Sequence, residues 1–149
     1  MKLTGLEVFD LTIQRTNTWL KELMQELNWS DRRKTFAGLR CVLHALRDHL
    51  STDHAVYLGE QFPALIRGVY YEHWNPVGNP RPLRSQEDFF SALECNLARD
   101  GEHTSNAEAI TRAVFRLLER KASEGEIHDV HNLIPRELTN LWPPTLRAA

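Results

Sequence analysis

Apolar side chains recur along this chain every three or four residues and show no sustained alternation, which is the pattern of helices and not of strands. Val8, Leu11, Trp19, Leu20, Leu23, Met24 and Leu27 predict one long helix, and the polar run Thr16-Asn17-Thr18 marks where it could break. Ser30-Asp31 reads as an N-cap ahead of Phe36, Leu39, Leu43, Leu46 and Leu50, which share one helical face. A shorter helix with Ala55, Val56 and Leu58 has to end before Pro63, because proline disfavours helical geometry in its predecessor. Another starts at Pro63 and carries Leu65, Ile66, Val69, Tyr70 and Trp74. Gly68 inside it costs ~1 kcal/mol against alanine, so a close packing contact is expected there.

Three prolines, one glycine and two asparagines between Asn75 and Pro82 exclude a regular element. Beyond them Ser85 caps a helix with Phe89, Phe90, Leu93 and Leu97, which Asp100-Gly101 ends. Ser105-x-x-Glu108 has the capping-box form ahead of Ile110, Val114, Leu117 and Leu118. Ser123 opens a short helix buried through Ile127 and Val130. Pro135 begins the last, through Leu138, Leu141 and Trp142, which Pro143-Pro144 stops. The expected fold class is all-α.

Sliding the chain by 72 residues lays Ala37, Arg40, Val42, Leu46, Ser51 and Pro63 over Ala109, Arg112, Val114, Leu118, Ser123 and Pro135 without a gap. Apolar positions pair around them, Phe62 with Ile134 and Tyr70 with Trp142 among others. Matches at core-type positions point to two related packing units and carry no chemistry. The expectation is a single helical domain over 1–149, with unit one at about 8–74, a connector at 75–84 and unit two at about 85–142. Each unit is of marginal size alone.

Composition narrows the class further. At 149 residues, 42% hydrophobic and 26% charged, the chain reads as one globular domain, and no apolar run approaches the ~18 residues of a membrane span. Gly5 and Glu7 interrupt the start where a signal peptide would be apolar, and Cys41 and Cys95 lack metal or redox spacing, so a cytoplasmic protein with two packing cysteines is expected. A net charge of −2 makes nucleic acid an unpromising partner.

Five separated segments carry a family likeness: Thr4–Asp10 (TGLEVFD), Thr16–Leu20 (TNTWL), Leu39–Asp48 (LRCVLHALRD), Arg67–Trp74 (RGVYYEHW) and Gly125–Ile127 (GEI). With them in this order, the chain resembles the bacterial family catalogued as domain of unknown function 2267 over nearly its whole length. The resemblance implies a helical protein of two related halves, with no assigned activity and no catalytic or binding residues to carry over. The chain departs from the family pattern at His73, where a glycine is usual before the tryptophan, and at Gly38 and Cys41, where alanines are usual.

Several side-chain groups are candidates for chemistry. His44 and Asp48 lie four apart, facing away from the apolar stripe of their helix, where a carboxylate could orient an imidazole as base or metal ligand. An ordinary surface pair or a contact between units explains them equally well. Glu124, His128 and His131 fall at i, i+4 and i+7 and could offer one helical face to a metal, although the spacing is not that of a metalloprotease. A polar outer face is the plainer reading. Arg112, Arg116 and Arg120 make a basic stripe suited to an acidic partner, a phosphate-bearing ligand or a nucleic-acid backbone, with Glu108 and Glu119 near enough to neutralise part of it. Tyr70 and Trp74 read as core, whereas Tyr71 and His73 beside the connector could form a rim for a ligand or a partner chain.

No Walker loop and no Gly-x-Ser-x-Gly is present, so nucleotide hydrolysis and serine-esterase chemistry by those designs are unsupported. The expectation is a non-catalytic interaction or regulatory module without a cofactor, partnered by a second copy or another protein through the groove between units and the aromatic connector. A small metal- or ligand-binding helical protein is the alternative, and an anion or RNA binder acting through the arginine stripe is the third.

Overall fold

In the computed structural model, which describes residues 3–102, 106–128 and 130–143, Glu7–Leu27 forms a single unbroken helix, α1. The expected break near Thr16-Asn17-Thr18 does not occur. The Thr16 hydroxyl donates to the Thr12 carbonyl at 2.8 Å and the Thr18 hydroxyl to that of Gln14 at 3.1 Å, so both side chains bond within the helix and do not compete with it. The chain turns at Asn28, in the left-handed region at φ 55°. It re-enters as α2, Arg32–His49, where Asp31 accepts from the Lys34 amide as N-cap.

Ser51 caps α3, Thr52–Glu60, and Pro63 precedes α4, Ala64–Tyr70. This last helix stops one turn before Trp74. Arg47 of α2 reaches its end and donates to the carbonyls of Tyr70 and Glu72 at 2.7 and 2.9 Å, and His73 then takes a positive φ of 56°. A left-handed backbone favours glycine over a residue with a side chain. The close approach expected at Gly68 lies elsewhere. A Cβ on Gly68 would meet nothing within 4 Å, whereas one on Gly59 would fall 2.3 Å from the Tyr71 hydroxyl.

The connector is tied to α2. After a 3-10 turn at Pro76–Gly78, the Asn79 side-chain amide donates to the carbonyls of Arg47 and Leu50 at 2.7 and 3.0 Å and accepts from the Trp74 indole at 2.9 Å. It thereby reinforces the end of α2, where the Arg47 carbonyl accepts also from the Leu50 amide at 3.4 Å. Ser85 caps α5, Gln86–Arg99, as the sequence predicts, and α6 spans Ala107–Ser123. Ser105 of the capping-box pattern lies outside the described residues. Both helices end alike. At Gly101 (φ 82°) and Gly125 (φ 81°) the next amide reaches back to the Leu97 and Lys121 carbonyls, a left-handed closure in which six residues span one hydrogen bond.

Ser123 therefore ends α6 and does not open a helix. The short helix α7 covers Val130–Leu133, and Arg136–Leu141 is a 3-10 helix where a final α-helix was expected. Among the described residues no strand is present, and the fold is all-α.

The longest helices pack around α2, which touches α1, α4, α5 and α6, while α1 lies along α6. One cluster of buried side chains runs from Trp19 and Leu23 through Leu39, Leu43, Leu46, Phe62 and Tyr70 to Phe89, Leu93, Phe115, Leu118 and Trp142. Each large aliphatic or aromatic member contributes about 1.5–3 kcal/mol of burial. Edge-on contacts of Trp19 with Phe62 (5.7 Å) and of Phe62 with Tyr70 (5.1 Å) join α1 to α4, and the buried Tyr70 hydroxyl donates to the Ala55 carbonyl at 2.7 Å. No described helix is long and apolar enough to cross a membrane.

Candidate functional site

α2 is buried on two sides. Its apolar face, Leu39, Leu43 and Leu46, enters the core, and the adjoining face, about 100° around the helix, carries Arg40, His44 and Arg47 at spacings of four and three. That second face does not meet open solvent. α5 and the segment after α4 stand across from it, and between them lies a cavity of about 510 Å³ with α2 as one wall. α5 lends Cys95, Asn96 and Arg99, with Asp100 at its end, and the chain on either side of the 3-10 turn lends Glu72, His73 and Arg81.

Most of the inner charges are mutually engaged. Arg47 is 6% exposed and, besides the two carbonyls at the end of α4, donates from Nε to Asp48 at 2.9 Å. Arg40 donates from Nη2 to Asp100 at 2.5 Å and has Glu72 at 3.9 Å from Nη1. Burial works to lower the Arg40 pKa, yet the Asp100 hydrogen bond and charge hold it above its ordinary value. Cys41 donates its thiol to the same Asp100 oxygen at 3.4 Å, and burial, together with that carboxylate, pushes its pKa up to about 12. Such a thiol is no nucleophile at neutral pH.

The outer part of the cleft is different. Among the described residues the guanidinium groups of Arg81 and Arg99 make no hydrogen bond or ion pair, and both side chains are exposed at the rim with His73. The lining holds four arginines against three carboxylates, of which Asp48 and Asp100 already accept from Arg47 and Arg40. The cleft can therefore orient an anion with forked donors.

The candidates raised from the sequence fall as follows. His44 and Asp48 both line the cleft, but each is engaged with another group, His44 through Nε2 with the Val69 carbonyl at 2.7 Å and Asp48 with Arg47. Burial lowers the His44 pKa, against the opposing effect of that hydrogen bond, so the ring is neutral at pH 7. Glu124, His128 and His131 do not share a helical face. Glu124 is the cap residue just after α6, His128 lies in the following loop with its amide on the Gln61 side chain, and only His131 is in α7. Among the described residues no group of three His, Cys, Asp or Glu side chains is arranged to hold a metal ion.

Arg116 and Arg120 of the basic stripe lie against α1, pairing with Glu26 at 2.9 and 2.6 Å, and Arg120 also with Glu22 at 2.9 Å. Arg112 pairs with Glu108 one turn before it. Tyr71 is half-buried, stacked on Trp74 at 5.6 Å with its hydroxyl donating to the Val56 carbonyl at 3.2 Å, whereas His73 is exposed. Cys41 packs as expected, but Cys95 is exposed.

Sequence reasoning missed Arg40, Arg47, Arg81 and Arg99. The first two were legible as a polar row through His44 on α2. The last two were not, since only the folding of the connector and α5 against α2 brings them to one cavity. None of the curated proteins matches the chain. A family model does match, over residues 16–141, and by that match the chain belongs to the family described as "Uncharacterized conserved protein (DUF2267)".

Proposed function

We propose that this protein is a non-catalytic binding module that takes a small polyanion, bearing phosphate or carboxylate groups, in the cleft between α2 and α5. The observation that carries the reading is the pair of unpartnered guanidinium groups, Arg81 and Arg99, at the mouth of a cavity of about 510 Å³ whose inner arginines are held rigidly. That volume lies within the range of small-molecule sites, about 300–1,000 Å³, and its polar, arginine-rich wall favours a charged ligand over an apolar one. The raised Cys41 pKa supports binding over nucleophilic catalysis by that thiol. The arginine stripe on α6 is a weaker anion site, because Arg116 and Arg120 already face Glu22 and Glu26.

The test is calorimetry with citrate and with tripolyphosphate. One of the two should bind, with affinity falling as salt rises. Arg81→Ala and Arg99→Ala should each weaken binding by about tenfold, the loss expected for one charge-assisted hydrogen bond. No heat from either probe, or binding indifferent to both substitutions, would refute the assignment.

A further inference from the structure

The first turns of α1 contribute nothing to the core. Buried positions on this helix begin at Thr16, yet Leu3, Leu6, Val8, Phe9 and Leu11 are 44–66% exposed. This is not a fraying end. The Asp10 carboxylate accepts from the Leu3 and Thr4 amides at 3.2 and 2.9 Å and from the Thr4 hydroxyl at 2.8 Å, which holds the apolar lead-in on the helix. Such a concentration of ordered apolar surface marks an interface.

Two features identify the occupant. Glu7, Leu11 and Arg15 stand four apart, so they form one row on α1, and neither charged group has an ion pair among the described residues. Opposite charges equally spaced on either side of a leucine are self-complementary. A two-fold axis at Leu11 between antiparallel helices sets Glu7 of one copy against Arg15 of the other, twice. A groove of about 200 Å³ lies beside Leu11 and Arg15 on the same side of the helix, between Thr18 and Trp19 of α1 and Lys121 and Glu126. From these features we infer that the protein pairs with a second copy of itself through the N-terminal half of α1. The surface is separate from the cleft and independent of its ligand.

Sedimentation velocity across a concentration series, up to about 0.5 mM, reads the assembly directly. The wild type should shift from monomer to dimer. Glu7→Arg and Arg15→Glu should each weaken pairing at least about tenfold, because each replaces attraction by like-charge contact, and the double exchange should restore it. Leu11→Glu brings two carboxylates to the axis and should leave a monomer. All these positions are exposed, and unchanged circular dichroism spectra would verify that the variants fold. A wild type that stays monomeric throughout, or sediments with anionic phosphatidylserine vesicles only as a monomer, overturns the inference. So does a dimer that survives Leu11→Glu or a double exchange that fails to restore pairing.

Discussion

Single residues set the backbone where side-chain volume or chirality conflicts with it. Three substitutions in and around α3 and α4 should separate these effects in urea unfolding. His73→Gly relieves the left-handed backbone and should stabilise by about 1 kcal/mol, partly offset by the greater freedom of glycine in the unfolded chain. Gly68→Ala adds a methyl in open space within a helix and should gain about 0.5–1 kcal/mol. Gly59→Ala drives a Cβ into the Tyr71 ring, with the Tyr70 ring only 2.9 Å from it, and should lose about 1–3 kcal/mol. Equal effects of the two glycine replacements would contradict the packing described. Local sequence identified Gly68 as the unusual residue because glycine inside a helical pattern is conspicuous. It could not identify Gly59, whose requirement comes from an aromatic ring twelve positions away.

Between elements, α1 and α6 are joined by an ionic row. Glu22 accepts from Lys121 at 2.6 Å and from Arg120 at 2.9 Å, and Lys121, 4% exposed, also has Glu124 at 3.4 Å and Glu126 at 3.7 Å. Burial works to raise the Glu22 pKa, but the hydrogen bonds from Lys121 and Arg120 prevail and hold it below its ordinary 4.5. A carboxylate lowered on folding contributes stability that is present above 4.5 and is lost as pH falls through its folded-state value. Glu22→Gln should therefore melt below the wild type at neutral pH, and the two curves should converge as pH falls beneath 4.5. A gap that stays constant down to about pH 3 would mean that Glu22 acts through packing alone. For Lys121, burial works to lower the pKa and the Glu22 hydrogen bond raises it, so its contribution fades only as pH climbs beyond 10.5.

For the molecule as a whole, the packing crosses the connector. α1 lies on α6, and α2 lies on α5 as well as α6, so the first half covers apolar surface of the second. Cleaving near Asn79 would remove those contacts and the clamp on the end of α2, leaving two fragments of marginal size. Neither fragment should melt cooperatively alone, and mixing them should recover helicity. Calorimetry on the separate fragments decides this, and a cooperative transition in either one would argue for separable halves.

The amino-acid sequence by itself determined the helical class, the positions of most helix ends and the faces that enter the core. These depend on interactions within one or two turns: the caps at Asp31, Ser51 and Ser85, the closure at Gly101, and apolar spacing on α2 and α5. It also carried the family, because motifs such as Leu39–Asp48 persist in linear order. Tertiary structure alone decided which polar faces meet. The outer face of α2 looks solvent-directed from its own periodicity, yet α5 and the chain after α4 cover it, sending His44 to the Val69 carbonyl and Arg40 to Asp100. Arg120 likewise pairs with Glu22 and Glu26, more than ninety positions away. Charge partners at such separations leave no periodic trace, since they are chosen by how helices pack and not by what neighbours them along the chain.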